Sequence, residues 1–470
     1  TAIVRLVERD GEWLAWILMT SLQEMTDHEL RIGINRETYP RGPESYGRRR
    51  VTESSFRESD PEVLVLGAGQ AGLGIAAHLT LMGVPTLIVE RNKRVGDNWR
   101  KRYESLVLHD PVWQDSLPFM PFPRSWPVWT PKDKLADWFE SYVAAMELNV
   151  WTGAEFLDGE YSDSEGTWTV RVREEGGEER TLRPRHVVMA TGTLTEPSVP
   201  ELPGRDEFGG AIIHSSEYDS GTDWAGQKAA VVGVCNSGQD IARNLAEHGA
   251  EVTMVQRSPV YVLSQERGRP AQSQGSPYVE DGPPTEIADL LTVSMPHLVL
   301  LDLGRDGARA AGEADKEMIQ GLEARGFLVD DGIEAGGTLG FAFRRGGGFL
   351  LDVGSTDLII DGTIGITTGS VREFTPDGVT LDDGSQIDAD LVVLATGYKN
   401  MRESARKIFG DAVADRCGEV WGLDEEGELR TIWRPSGHPG LWFSGGALLH
   451  ARIYSRYLAL QIAGALDGLS

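Results

Sequence analysis

The feature that most constrains this chain is a duplication. Residues 62–66 form a short apolar run that leads into Gly67-Ala68-Gly69-Gln70-Ala71-Gly72. Residues 228–232 form a second run, leading into Gly233-Val234-Cys235-Asn236-Ser237-Gly238. Each glycine loop opens a helical pattern, at 73–81 and 241–247, and a glycine (Gly83 or Gly249) stands where that helix should stop. A second strand follows each, at 86–89 and 251–255. Internal repeats decide architecture before any finer signal. This one predicts two βαβ starts, each able to hold a dinucleotide.

A further echo extends the repeat. Residues 186–189 run into Ala190-Thr191-Gly192, and 391–394 run into Ala395-Thr396-Gly397. Hairpins precede both, 167–172 turning at Gly176-Gly177 and 379–381 turning at Asp383-Gly384. The order implies an α/β chain of two Rossmann-like, doubly wound dinucleotide-binding domains, one inserted into the other. The expected bounds are 61–200 for the first part of the outer domain, 201–390 for the inserted domain, and 391–470 for the return to the outer domain. Residues 1–60 stand apart. They read as two strands (3–7 and 13–19) joined by a polar turn, then a charged linker over 26–60 that contains Arg48-Arg49-Arg50. Two strands cannot bury a core alone.

Length and charge agree with this layout. A chain of 470 residues needs two or three domains. A formal net charge of −27 argues against nucleic acid and against anionic membrane surfaces. No apolar run reaches the length of a membrane span. The only two cysteines, Cys235 and Cys417, form no CxxC pair, so neither zinc nor a disulfide framework is expected. A cytoplasmic protein follows, with a homodimer left open.

The first loop carries the stronger signal. Its glycines Gly67, Gly69 and Gly72 permit a tight turn, close approach of a pyrophosphate and close helix–strand packing, and the helix start at Gln70 and Ala71 offers amide donors. Glu90 ends the second strand, where an acid holds ribose hydroxyls, and Arg91 follows it. In the second loop Cys235 replaces the middle glycine, with Ser237 and Gly238 beyond it. No acid ends its second strand; Gln256, Arg257 and Ser258 stand there. Arg257 can pair with a 2′-phosphate, which favours NADPH, with NADH still possible. One flavin site and one nicotinamide site would also suit a disulfide reductase, but the redox cysteine pair is missing. Dioxygen is then the natural acceptor.

Between the two units, residues 208–218 match FxGxxxHxxxY, ending in His214 and Tyr218. This resembles the fingerprint of class B flavin monooxygenases, and the terminal Tyr218 resembles the flavin-containing monooxygenase branch. Gly96-Asp97-Asn98-Trp99 is similar to that family's flavin-contacting segment, Ala395-Thr396-Gly397-Tyr398 to its ATGY motif, and Asn236-Ser237-Gly238 to its nicotinamide-domain turn. Residues 106–111 and 117–121 resemble bacterial and fungal members related to the plant YUCCA type. The N-terminal strands resemble the end of a small nuclear-transport-factor-like domain.

The resemblance implies an FAD- and NADPH-dependent monooxygenase that forms a C4a-(hydro)peroxyflavin and gives one oxygen atom to a small organic substrate. N- or S-oxygenation, Baeyer–Villiger attack and decarboxylating attack on an α-keto acid all remain open. Asn98, Trp99, Thr396, Gly397 and Tyr398 are implied cofactor contacts. His109 is implied at the flavin and nicotinamide as a donor, and with Tyr218 is the catalytic candidate. His214 is implied at a domain hinge or at the nicotinamide. Residues 287–348 are expected to line or cover the substrate pocket, and 453–466 to form an amphipathic closing helix. Two rivals are a flavin oxidase or reductase without oxygenation and a non-enzymatic redox sensor.

Overall fold

The apolar runs before the glycine loops become the central strands of two separate sheets. In the computed structural model, which describes residues 1–36, 38, 44–332 and 336–469, Val63–Leu66 is wholly buried. It lies third in a five-stranded sheet ordered Leu441–Phe443, His186–Met189, Val63–Leu66, Thr86–Glu90, Val150–Thr152. All four pairings are parallel. Parallel strands read as unbroken apolar runs because helices cover both faces.

The second sheet repeats the first. Its order is Ala211–His214, Leu391–Leu394, Lys228–Val232, Glu251–Gln256, Ile364–Thr368, again all parallel. Each carries a three-stranded antiparallel satellite, Glu155–Ser162 to Leu182 in the first and Val371–Thr375 to Asp388 in the second. The expected boundary at 391 needs correction. Leu391–Leu394 pairs with both Ala211–His214 and Lys228–Val232, so the second domain closes on this strand and the chain returns only after Gly397.

Two antiparallel linkers join the domains. Ser198 donates its amide to the Gly397 carbonyl at 2.9 Å, and Lys399 donates to Glu196 at 2.8 Å. Thr396 Oγ1 adds a bond to the Ser198 carbonyl at 2.6 Å. An insertion in the second domain adds a small parallel sheet (Val329–Asp330, Val260–Ser264, Phe349–Asp352) and the helices Thr285–Val293, His297–Ala314 and Gly337–Arg345.

The N-terminal hairpin forms as expected, Ala2–Arg9 against Glu12–Thr20. It touches the insertion through Arg5, which donates to Ser294 Oγ and the Leu291 carbonyl. The expected linker is partly helical: Tyr46–Ser55 is an α-helix capped by Ser45 Oγ. Tertiary bonds fix it, since Arg50 donates to the Glu147 carbonyl and to Asn149 Oδ1, and Trp151 Nε1 donates to the Ser54 carbonyl. Residues 37 and 39–43 of that stretch lie outside the described residues. The closing helix Leu448–Leu466 is not amphipathic. Residues on all its sides are buried, Leu449, Ile453, Leu458 and Ile462 among them, because it lies between the first sheet's helix Gln70–Leu81 and the rest of the core. Gly74 lets it approach, for a Cβ there would lie 3.3 Å from the Ala451 carbonyl oxygen.

Candidate active site

The two glycine loops are built alike atom by atom. Gly67 has φ of +105°, and a Cβ there would lie 2.7 Å from the Ala190 carbonyl oxygen; Gly233 has φ of +116°, with its Cβ 2.4 Å from the Ala395 oxygen. A Cβ on Gly72 would lie 1.9 Å from the Gly67 oxygen, and one on Gly238 2.1 Å from the Gly233 oxygen. The middle position differs. Gly69 and Cys235 both sit at the helix N-cap with ordinary negative φ, −78° and −81°. No left-handed backbone is demanded there, so cysteine is tolerated.

Both loops open into one cavity of about 1790 Å³. On one side stand Gly67, Gly69, Gln70, Ala71, Glu90 and Arg91, with Asn98 and Trp99 beside them. On the other stand Cys235, Ser237, Gly238, Arg257 and Ser258. Thr396, Gly397 and Tyr398 line it where the linkers meet. Gly72 does not line the cavity; it serves helix–strand packing.

The Glu90 carboxylate is buried and braces the first loop. One oxygen accepts the Ala68 amide at 2.8 Å, the other the Asn92 amide and side chain, each at 2.8 Å. Gln70 Nε2 donates to the Gly446 carbonyl at 3.0 Å, tying the C-terminal return to the loop. Arg257 makes no ion pair among the described residues, so its guanidinium is available to an anion in the cavity.

The cavity fits two dinucleotides. Helix N-termini at Gly69 and Cys235 present amides to it. Three wall atoms, Trp99 Nε1, Thr191 Oγ1 and His450 Nδ1, are buried and find no hydrogen-bond partner among the described residues. Such orphans are costly unless a ligand satisfies them.

Two expectations are corrected. Tyr218 is buried away from the cavity, in the core of the second domain, and its hydroxyl donates to Asn244 Oδ1 at 2.7 Å. Burial, with Asp219, raises its pKa, so it holds a proton and serves packing. His109 does not line the cavity either. Its imidazole turns to Asp240, with Nε2 3.3 Å from Oδ2.

His214 sits at the linkers. The Ser216 amide donates to Nδ1 at 3.2 Å, so Nε2 carries the proton and donates to the Gly397 carbonyl at 3.1 Å. Burial lowers its pKa against the Gly397 bond.

Trp421, His450, Met401 and Gly446 also line the cavity, with Arg345 to Gly348 from the insertion. Sequence reasoning located this part of the wall only in outline: Arg345 to Gly348 fall within the expected 287–348, and Gly446 and His450 within 437–452, which resembles the family's C-terminal flavin contact, whereas Met401 and Trp421 went unmarked. Trp433 and Tyr454 back His450, stacked at 4.6 Å. Burial takes the His450 pKa down to about 4, so the ring is neutral. Trp421, Thr431 and Trp433 have φ of +78°, +64° and +59°. Such non-glycine backbones cost about 1–3 kcal/mol each and cluster at functional sites. Only the repeat of Ala190-Thr191-Gly192 could have flagged Thr191; no local signal marked Trp421.

A family profile described as pyridine nucleotide-disulphide oxidoreductase matches residues 64–273. The chain is 34% identical over 354 residues to indole-3-pyruvate monooxygenase YUCCA1 of Oryza sativa subsp. japonica, covering 75% of this chain and 80% of that one. The chain belongs to the class B flavin-containing monooxygenases. As a member it is an FAD monooxygenase that consumes NADPH and dioxygen and acts on a small molecule. A probable indole-3-pyruvate monooxygenase, YUCCA9 of Arabidopsis thaliana, is 33% identical over 72% of this chain and 75% of its own. Among solved structures, closed cyclohexanone monooxygenase matches with TM-score 0.63 at 19% identity, covering 87% of this chain and 85% of that one. The flavin-containing monooxygenase from Stenotrophomonas maltophilia gives 0.57 at 18%, covering 86% and 99%. This flavin-containing monooxygenase keeps the disulphide-reductase scaffold without a cysteine pair, since Cys235 and Cys417 are both free.

Proposed function

We propose that this monooxygenase oxidises an aromatic 2-oxo acid to the carboxylic acid one carbon shorter. The balance is 2-oxo acid, O2, NADPH and a proton giving carboxylic acid, CO2, water and NADP+. The observation that carries this reading is the aromatic end of the cavity with Arg345 at its rim. Trp421 and the neutral His450 ring meet edge to face, 5.9 Å apart at 84°, and together make an aromatic wall that suits an aryl substrate. Arg345 rests on the Phe341 ring at 5.4 Å and makes no ion pair with a carboxylate among the described residues. A guanidinium fork suits a substrate carboxylate. The plant relatives are named as indole-3-pyruvate monooxygenases, and indole-3-pyruvate is such an acid.

FAD, when bound, moves two electrons from NADPH to dioxygen. The protein does the rest. The loop braced by Glu90 and the amides at Gly69–Ala71 are assigned to its pyrophosphate and ribose. Ser237, Gly238 and Arg257 are assigned to NADPH. Thr191, Trp99 and His450 supply polar atoms to the bound groups, and the insertion's Gly346–Phe349 stretch limits water at the reacting end. The net charge of −27 supports work away from nucleic acid and anionic membranes, and two unpaired cysteines support a reducing, cytoplasmic setting. No single helix among the described residues is long and apolar enough to cross a membrane.

Arg345→Ala tests the substrate class. Loss of one charged hydrogen bond is worth about 1.5–3 kcal/mol, roughly a tenfold or greater rise in KM for an aryl 2-oxo acid. Turnover at saturation should hold, as expected for binding shared by ground and transition states. An unchanged KM, or a neutral aryl ketone oxidised as well as the acid, contradicts the reading.

A further inference from the structure

Two helices, one from each domain, line the cavity with their first turns. Asp97–Arg100 is the helix that carries the flavin-side wall residues Asn98 and Trp99. Asn236–Glu247 is the helix whose first turn carries the nicotinamide-side residues Ser237 and Gly238. They belong to different domains, joined by the linkers at 196–198 and 396–399. A single carboxylate ties the two walls together. Asp240, on the nicotinamide-domain helix, accepts the Tyr103 hydroxyl at Oδ2, 2.5 Å away. The same oxygen lies 3.3 Å from His109 Nε2. Tyr103 follows the flavin-side helix and is buried; His109 lies on the flavin-domain strand Val107–Pro111.

We propose that Asp240 is a positioning residue that fastens the nicotinamide wall to the flavin wall through Tyr103 and His109, and so fixes the two cofactors in reacting register. It touches neither cofactor cradle itself. Asp240 and His109 are largely enclosed, with side-chain exposures of 10% and 14%. Held there, the carboxylate keeps His109 as its donor and keeps the Tyr103 proton on the phenol. Other groups complete the setting. Asp110 and Arg269 face His109, with Arg269 and Gln265 donating to its backbone carbonyl. Arg102 and Tyr398 face Tyr103. The Arg269–Asp110 pair at 2.7 Å also ties the insertion to the same strand.

The pair is pH-sensitive, and the sign follows from its surroundings. Burial alone lowers the His109 pKa; the bond and charge of Asp240, with Asp110, outweigh burial and Arg269, and the net shift is upward. A raised histidine contributes stability that is complete below its unfolded value, about 6.5, and fades as pH climbs through the folded value.

The test uses Asp240→Asn in the full FAD-loaded chain. Asparagine keeps an acceptor for Tyr103 and removes the charge that His109 needs. Anaerobic bleaching of the flavin by saturating NADPH should slow at least tenfold, because misplacement by about 1 Å costs on the order of 10²-fold. Flavin content and NADP+ affinity should stay near wild type, and the upper limb of the bleaching rate's pH profile should move to lower pH. In the cofactor-free chain, the Tm gap between wild type and Asp240→Asn should be widest near pH 6 and close as pH rises. Adding His109→Asn to Asp240→Asn should cost nothing further in either readout. An unshifted profile with an unchanged bleaching rate overturns the proposal, as does a Tm gap that does not vary with pH. None of these readouts uses the organic substrate, so they stand or fall separately from the 2-oxo acid assignment.

Discussion

Gly72→Ala should yield a protein that has lost its yellow colour, while Gly238→Ala, the matching change in the second repeat, should keep FAD and lose NADPH. The reason is geometric. The new methyl carbon would fall 1.9 Å from the Gly67 carbonyl oxygen in the first case and 2.1 Å from the Gly233 oxygen in the second. Both obstacles are backbone, so no rotamer change relieves them. The helix must back away from its strand, and its N-terminal amides retreat from the phosphates. Overpacking of this kind costs about 3 kcal/mol, roughly two orders of magnitude in affinity. The flavin-to-protein absorbance ratio reads the first variant, and titration with NADP+ the second. Gly69→Ala is the informative control. Its Cβ meets only Asn98 Nδ2, at 3.4 Å, and its φ is ordinary. The fold should therefore tolerate it, and any loss of FAD there reports crowding of the pyrophosphate alone.

Arg257→Ala should raise the KM for NADPH by roughly 10- to 100-fold and leave the KM for NADH within about twofold. Arg257 stands just past the strand Glu251–Gln256, at the position where an acid would reject a 2′-phosphate. It lines the cavity and has no carboxylate partner among the described residues, so its charge is unspent until a phosphate arrives. Arg257→Glu should go further and reverse the preference, because the new carboxylate repels the phosphate and accepts ribose hydroxyls. Steady-state kinetics with the two nucleotides checks both. Equal effects on NADPH and NADH would move the 2′-phosphate contact elsewhere.

The residues that sequence reasoning located share one property: local backbone demands them. Gly67 and Gly233 need positive φ, Gly72 and Gly238 need an absent side chain, and both needs leave a mark on the sequence at fixed spacing. Glu90 and Arg257 are legible because a strand end fixes where they point. Tyr218 misled for an instructive reason. Its motif marks the passage between domains, and at that passage the histidine holds the linker while the tyrosine fills a core. The motif's presence therefore carried the family but not the chemistry. His109 misled in another way, since only the folded chain brings Asp240, far away in sequence, to its imidazole. The aromatic chamber was legible only in outline. Arg345 lies in the stretch expected at the pocket and His450 in the segment that resembles a flavin contact, but Trp421 comes from an irregular loop, and no periodicity links the three. The helix Tyr46–Ser55 escaped for want of an apolar stripe; Glu147, Asn149 and Trp151 hold it from outside, through Arg50 and the Ser54 carbonyl.

The account rests on one claim, that nicotinamide and flavin meet inside the single cavity shared by the two glycine loops. Anaerobic mixing of the FAD-loaded chain with NADPH, followed at the visible flavin band, tests it most directly. The account predicts complete bleaching in one phase, slowed by deuterium at the transferred position of NADPH and lost in Gly238→Ala despite retained FAD. A flavin that stays oxidised, or that bleaches equally well in Gly238→Ala, would contradict it.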